Sequence, residues 1–309
     1  MTVFFCKRLL QTLVVLFLMS FLVYFLIGLM PGDPVNMMIA SDPHMTAEKA
    51  ARLRALYGLD QPLVTRYFHW LADALGGDIG YSRLYSAPVL SILWPRLLST
   101  LCLLIPSFIL TLLAAIPLGV YAAKKPDSCA DKIINFCAFA GISVPPFWMA
   151  LMLISLFSVT LGLLPAGGTG TLAHMILPVV TLSLAGVGGY TRYVRSAMQE
   201  ELRSDHIKTA RAKGCPESRV VWGHAFRGAL IPLVTVIALD FGTLFSGALV
   251  TETMYSRPGM GKTIYDAIMG NDYNLALVAL LFSTAMILAG NLLADIAYLA
   301  LDPRIKNRE

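Results

Sequence analysis

Three groups of residues in this chain have types and spacings that could do chemistry. The first is Asp205-His206-Ile207-Lys208-Thr209-Ala210-Arg211-Ala212-Lys213-Gly214, in which small residues alternate with cations. That pattern permits close packing against another surface, whereas a merely solvated face has no need of it. The second is Gly259-Met260-Gly261-Lys262-Thr263, which invites a phosphate-cradle reading. The third is Asp240, a carboxylate inside an apolar run and followed by Gly242, Thr243, Ser246 and Gly247. Such an acid costs about 2.5–3.5 kcal/mol at a bilayer centre, so it faces a polar interior. Its strip of small polar residues suits either a substrate path or a helix–helix seam.

The phosphate reading fails on spacing. A P-loop needs G-x-x-x-x-G-K-[ST], and the position five before Gly261 is Ser256. A turn with a helix starting after Pro258 is expected instead. The histidines, at 44, 69, 174, 206 and 224, have no metal-ligand spacing, and there is no G-x-S-x-G elbow or H-E-x-x-H helix. A membrane hydrolase is unsupported. Glu252 closes the apolar run that holds Asp240; it reads as an exposed helix-end acid, with contact to a solute or a docked protein as the alternative. Asn291 and Asp295 stand four apart on one helix face and suit structural pairing.

The elements that must position these residues are set by composition. Of 309 residues 57% are hydrophobic and 14% charged, which exceeds the apolar share of a soluble domain and points to surface that water never touches. This excludes a disordered chain, a disulfide-rich secreted module and an ordinary soluble enzyme. Runs of roughly 20 apolar residues can cross a bilayer. Leu9–Met30 and Leu97–Ala123 lack Asp, Glu, Lys and Arg, and so does the longer run Ile133–Thr191. Pro165-Ala166-Gly167-Gly168 divides that run into spans of about 133–164 and 172–191. Leu230–Thr251 and Tyr273–Leu301 complete six expected spans in one all-α membrane domain, residues 1–309. Lys7 and Arg8 before the first run resemble a signal peptide's start, but the run is too long and lacks an A-x-A-like site, so a retained helix is expected.

Basic residues set the orientation. With both termini inside, the inner segments hold 16 of the 24 Lys and Arg and net +8. Both termini are therefore expected in the cytoplasm. Cys6, Cys129 and Cys215 fall in cytoplasmic segments, and Cys102 and Cys137 in spans, so free thiols are expected. Prolines 106, 117, 145, 146, 178 and 232, with Gly186, Gly188 and Gly189, suggest irregular helices around a cavity.

Two segments are expected outside the lipid. Residues 31–96 form an outer loop with helices over Thr46–Tyr57 and from Pro62 to Gly76-Gly77. In the second, Leu63, Val64, Tyr67, Phe68, Leu71 and Leu75 make an apolar face that must lie on the bundle, the membrane surface or a partner. Residues 192–229 form the cytoplasmic segment, with 8 basic and 4 acidic residues between Arg192 and Arg227. A helix there closes at Gly214, Cys215-Pro216-Glu217 turns the chain, and a helix resumes from Ser218. The segment is either a solvated, headgroup-anchoring loop or a lever gripped by a cytoplasmic partner.

Several stretches, in order, resemble one family. They include Met30-Pro31-Gly32-Asp33-Pro34, Tyr57-Gly58-Leu59-Asp60-Gln61-Pro62, Gly77-Asp78-Ile79-Gly80, Pro145-Pro146-Phe147-Trp148 and Leu164-Pro165-Ala166-Gly167-Gly168. Further along come His206–Gly214 with His224–Pro232, Thr251-Glu252-Thr253-Met254, Arg257-Pro258-Gly259-Met260-Gly261 and Leu301-Asp302-Pro303-Arg304-Ile305. Together they resemble the dipeptide/oligopeptide/nickel family of ABC importer permeases, and the long first outer loop resembles its first, B-type subunit. The resemblance implies a type I ABC importer permease fold in a bacterial inner membrane. It implies a sister permease, two cytoplasmic ATPases that use ATP and magnesium, and a periplasmic or lipid-anchored binding protein. This chain itself would bind no cofactor, metal or nucleic acid. The ATPase-coupling residues would be Arg203, Asp205, Lys208, Thr209, Ala210, Arg211, Ala212, Lys213, Gly214 and Pro216. Asp240, Ser246 and Glu252 are the path candidates. One departure stands: where importers generally begin this loop Glu-Ala-Ala, this chain has Lys208-Thr209-Ala210. Nickel, metallophore or glutathione cargo is the alternative within the family. An ion-coupled carrier using Asp240 is the alternative outside it, and it predicts inverted repeats, of which none is convincing.

Overall fold

The computed structural model describes residues 2–29, 46, 48–49, 52 and 60–301, with the side chains of 2–5, 231, 235, 238–247 and 293–301 outside the description. Backbone that has no water to bond must satisfy its own N–H and C=O groups, and a helix does this along its length. The apolar runs are accordingly helical. In order come α1 (Thr2–Gly28), α2 (Leu63–Leu75), the two-residue strands β1 (Tyr81–Ser82) and β2 (Ala87–Pro88), and α3 (Val89–Lys124). Then follow α4 (Cys129–Ser143), α5 (Pro146–Leu153) and α6 (Ala173–Leu202). The last are α7 (Asp205–Ala212), α8 (Phe226–Met254), α9 (Met260–Met269) and α10 (Tyr273–Leu301).

Among the described residues, α1, α3, α6 and α10 are long and apolar enough to cross a membrane, and α4 with α5 and its continuation adds a fifth if the bent pair is one span. The helix α8 is continuous over the fifth expected span, but the side chains at its middle lie outside the description, so it does not enter that count. The third expected span needs correction. It is not one helix over 133–164 but two, bent by 100° between Ser143 and Pro146. Proline at 145 clashes with a helical residue before it, and Val144 is extended at φ −85°, ψ 121°. Pro146 then opens α5, where a missing N–H costs nothing. The chain continues as a π-helical stretch, Ile154–Thr160, and Thr160 Oγ1 donates to the Ser155 carbonyl, five residues back, at 2.9 Å. Boundaries move elsewhere too: α3 starts at Val89 rather than Leu97, and α6 runs to Leu202, three turns beyond its expected end. The β-hairpin had no sequence signal.

The chain divides into two compact units, Met1–Leu98 with Lys262–Leu288, and Ser99–Gly261 with Ala289–Glu309. In the first unit α2 packs on α1. The Tyr67 ring is buried, and its hydroxyl is 2.7 Å from Ser20 Oγ. The hairpin is pinned to the α9–α10 turn by Asp272, whose Oδ2 accepts from Ser82 Oγ at 2.6 Å and from the Leu84 N–H at 2.9 Å. The first outer helix expected at Thr46–Tyr57 and the Asn291–Asp295 pair lie wholly or largely outside the described residues.

In the second unit the core runs through Ala115, Val120, Val194, Met198, Ile207, Val220, Val221, Ala225 and Leu233. Gly188 corrects the expectation of irregularity in α6. That helix is continuous, and a Cβ at Gly188 would sit 2.3 Å from the Ala138 carbonyl oxygen, so the glycine lets α4 approach. Irregularity sits instead at the 143–146 bend and in two π-helical stretches, the second over Val220–Ala225. All five cysteines are free thiols.

Candidate functional site

The segment from Ser204 to Glu217 builds its own small platform. Ser204, extended at φ −67°, ψ 155°, precedes α7, and Asp205 occupies the first turn, where a carboxylate complements the helix dipole. The far end is closed as the sequence suggests. Gly214 has φ +77°, its N–H donates to the Arg211 carbonyl at 2.9 Å, and the Cys215 N–H donates to the Ala210 carbonyl at 3.2 Å. These two bonds form a Schellman motif, which needs a left-handed residue that glycine supplies without a Cβ clash. Pro216 then starts the next turn, and its carbonyl accepts from the N–H groups of Arg219 and Val220.

What holds α7 down is apolar. Ile207 is fully buried and Ala210 nearly so, both in the core of the second unit with Met198, Val220, Val221 and Ala225. Ala210 therefore faces inward, which alters its expected role as part of an outer grip. The outward surface is made by Arg203, Asp205, Lys208, Thr209, Arg211, Ala212, Lys213, Gly214 and Pro216, all exposed. Thr209 turns its hydroxyl back to the Asp205 carbonyl at 2.9 Å.

The charge on this platform is largely spent within the chain. Lys208 Nζ lies 2.8 Å from Asp205 Oδ1. Arg211 donates to both carboxylate oxygens of Glu217, at 2.8 and 3.2 Å. These bonds hold the Glu217 carboxyl below the usual glutamate range and raise the Arg211 guanidinium; Lys208 lowers Asp205 likewise. Lys213 makes no ion pair among the described residues. Residues 205–217 hold three basic and two acidic side chains, a net +1, so the surface offered outward is shape with one unpaired cation more than a positive field.

A second arrangement, not singled out from the sequence, fixes the helix that feeds this platform. Arg195 on α6 donates to Asp131 on α4 through two bonds, Nε–Oδ1 at 2.6 Å and Nη2–Oδ2 at 2.7 Å. Asp131 also accepts from Asn135 Nδ2 at 2.6 Å and from the Asp127 N–H at 2.9 Å. It is 2% exposed. Ser128 caps α4 by accepting from the Asp131 N–H. Ser-x-x-Asp at 128–131 was the available signal, since it is a capping pattern.

The path candidates fare unevenly. Asp240 and Ser246 lie on α8, and their side chains fall outside the described residues. Glu252 does not fit its expectation as an exposed helix-end acid: it is fully buried. Thr100 Oγ1 donates to Glu252 Oε1 and accepts from the Met260 N–H at 2.8 Å. The Glu252 backbone carbonyl accepts from the Arg257 N–H at 2.7 Å. The turn that wraps it explains the glycines of 259–263. A Cβ at Gly259 would fall 2.0 Å from Glu252 Oε1, and one at Gly261 2.6 Å from the Leu249 Cα. Gly259 is a close-approach position beside a protein carboxylate, the opposite of a phosphate cradle, and Gly261 is one beside the backbone of α8. A helix does begin there, as expected, and Lys262 pairs with Asp266 at 2.7 Å within it. The motif at 164–168 is likewise a contact: the Gly168 N–H donates to the Tyr255 carbonyl at 2.8 Å, and the Tyr255 hydroxyl meets Thr181 Oγ1 at 2.8 Å.

Comparison with known proteins assigns this arrangement to a lineage. Residues 115–307 match the family model of the binding-protein-dependent transport system inner membrane component, and residues 1–113 match that of its N-terminal part. The oligopeptide transport system permease protein AppB of Bacillus subtilis (strain 168) is 37% identical over 99% of this chain and 100% of its own. The glutathione transport system permease protein GsiC of Escherichia coli (strain K12) is 36% identical over 97% of each. A putative peptide transport system permease protein of Brucella abortus (strain 2308) is 37% identical over 99% of each. Among solved structures, an inward-facing MetNI methionine ABC transporter aligns with a TM-score of 0.60 at 18% identity, over 70% of this chain and 98% of that one, which supports the fold. On these matches, which together span nearly the whole length, the chain belongs to the family of inner-membrane components of binding-protein-dependent transport systems.

Proposed function

We propose that this chain is the first of two permeases in an ATP-driven importer, and that it translocates di- or oligopeptides handed over by a binding protein. Both termini lie in the cytoplasm, α7 faces one of two ATPases, and a sister permease completes the path. The observation that carries this reading is α7 itself: a helix seated by Ile207 and Ala210 on the core, closed by a Schellman motif, and presenting Lys208, Arg211, Ala212 and Lys213 outward. A platform so rigidly held can transmit a push, because the residues that seat it belong to the same core as α6 and α8. ATP and magnesium belong to the partner subunits, whose closure on ATP would move α7 as a lever; the ligand must bind the two states unequally to do so. Lipid surrounds the chain, and no nucleic acid is involved.

The test follows from the geometry. Because Arg211 is paired internally, the informative changes are Lys213→Glu and Ala212→Trp, which leave the seat intact. Both should abolish co-purification with the ATPases and ATP-driven uptake, with the thermal stability of the chain unchanged. Normal co-purification would overturn the lever assignment. Cargo is read separately, by competing uptake of a labelled peptide with unlabelled di- and oligopeptides and with glutathione. The GsiC relatives make glutathione the competing cargo, and selective displacement by it alone would replace the peptide reading. Uptake driven by a proton gradient without ATP, and lost in Asp240→Asn, would favour an ion-coupled carrier instead.

A further inference from the structure

The helix α2 has two apolar faces, and only one of them is used within the chain. On a helical wheel Leu63, Tyr67, Trp70 and Ala74 cluster within about 60°, and this face lies against α1. Tyr67 is 1% exposed, and its ring meets Phe17, Phe21 and Tyr24 at centroid distances of 6.2, 5.1 and 5.6 Å. Val64, Phe68, Leu71 and Leu75 form a second cluster of similar width beside the first. Here Val64 is 50% exposed, Phe68 52% and Leu75 82%. The polar residues Thr65, Arg66, His69 and Asp73 take the remaining arc. A helix that needed only to pack on α1 and face water would have no use for the second stripe.

The position of α2 along α1 says what covers it. Leu63 reaches Gly28 at the end of α1, but Tyr67 reaches Ser20, eight residues earlier, or about 12 Å down the axis. α1 is an apolar helix of membrane-crossing length in a bilayer core about 30 Å thick. The contact with Tyr67 is therefore at hydrocarbon depth. Leu18, Leu22, Phe25 and Leu26 of α1 are likewise exposed in the chain, as the apolar side chains of a lipid-facing helix would be. The rings of Tyr24, Tyr67 and Trp70 meet edge-on or tilted, with centroids 5.6 to 6.2 Å apart, a group of the residues that favour the boundary between acyl chains and headgroups. From this geometry we infer that α2 is an interfacial helix embedded in the membrane beside α1, with its Val64–Phe68–Leu71–Leu75 stripe covered by lipid acyl chains and its exposed His69 and Asp73 at the headgroup level. Of the three covers the sequence leaves open for this face, the inference selects the membrane surface. It rests on the membrane reading of α1 and not on the proposed transport cargo.

The test uses nitroxide labels in the full chain, with whatever subunits co-purify, reconstituted in phosphatidylcholine–phosphatidylglycerol vesicles. Val64→Cys, Phe68→Cys and Leu75→Cys are labelled in a background with the five native cysteines replaced, and His69→Cys and Asp73→Cys serve as the polar-arc references. Collision with oxygen, which concentrates among acyl chains, is compared with collision with a neutral water-soluble nickel chelate. Oxygen-to-nickel ratios several-fold higher at 64, 68 and 75 than at 69 and 73 are expected. Nickel access at the stripe equal to that at 69 and 73 would overturn the inference by placing α2 in water. Shielding of the stripe from both reagents would overturn it equally, because protein rather than lipid would then be the cover. All five labelled sites are exposed in the chain, so a folding failure is not built into the measurement.

Discussion

The α7 platform and the Glu252 turn both carry a carboxylate beside hydroxyls and glycines, yet their physics is opposite. At α7 the ion pairs lie in water: the Arg211 and Glu217 side chains are 44% and 55% exposed, and pairs of this kind contribute little, typically under about 1 kcal/mol. They set the shape and net charge of a surface. At Glu252 the acid is sealed, so each hydrogen bond substitutes for water that cannot enter, and losing one leaves a polar group stranded. The first arrangement can change partners at low cost; the second can only hold. On the function proposed above, the first would be the surface that another subunit engages and the second part of the frame that it moves.

The largest effects are expected where the charge is buried. Arg195→Ala leaves Asp131 buried without its bidentate partner and should cost about 3–5 kcal/mol, read as a large fall in thermal unfolding temperature in detergent. If it destabilises no more than Arg211→Ala, burial is not the deciding variable. Gly259→Ala should cost about 1–3 kcal/mol by forcing a methyl onto Glu252 Oε1, and Glu252→Ala in the same chain should recover part of that loss. Strict additivity in this double-mutant cycle would show that the two sites are not in contact. Gly214→Ala strains the left-handed position by about 1–2 kcal/mol and should fray α7 locally, seen as faster amide exchange at Lys213–Cys215 while the bundle stays folded.

The smallest effect is expected at the Arg211–Glu217 pair. Because Glu217's folded pKa is held below its ordinary value, the pair's contribution is complete above the usual glutamate range and is lost as pH falls through the lowered value. Wild type and Glu217→Gln should therefore converge in stability at acid pH and differ slightly at neutral pH. A difference that grew on acidification would reverse the sign of this coupling.

Much of the fold could be read directly because lipid imposes a simple rule on sequence: long charge-free runs become helices. The closure of α7 was legible for a local reason, since Gly214 follows a short amphipathic stretch and only glycine takes that backbone conformation without strain. The helix start after Pro258 was legible for similar reasons. The 100° break at 143–146 has a local signal in Pro145-Pro146, but its charge-free flanks suggest one crossing. Burial of Glu252, the Asp131–Arg195 pair and the inward turn of Ala210 depend on what lies opposite, and no local pattern encodes that. Glycines 186 and 188 misled for the same reason: a residue that permits bending and one that permits close approach are the same residue until its neighbour is known.

The sequence by itself determined that this protein lives in a membrane, which runs are helical, where α7 ends, and that Gly259–Thr263 lacks P-loop spacing, because hydropathy, backbone strain and motif spacing are properties of neighbouring residues. Tertiary structure alone decided which charges are sealed and which meet water. It also decided that Gly259 serves a carboxylate, and that α2 lies on α1 at the depth of Ser20. The physical reason is that the energy of a charge or an apolar stripe is set by the medium around it, and residues far apart in the chain supply that medium.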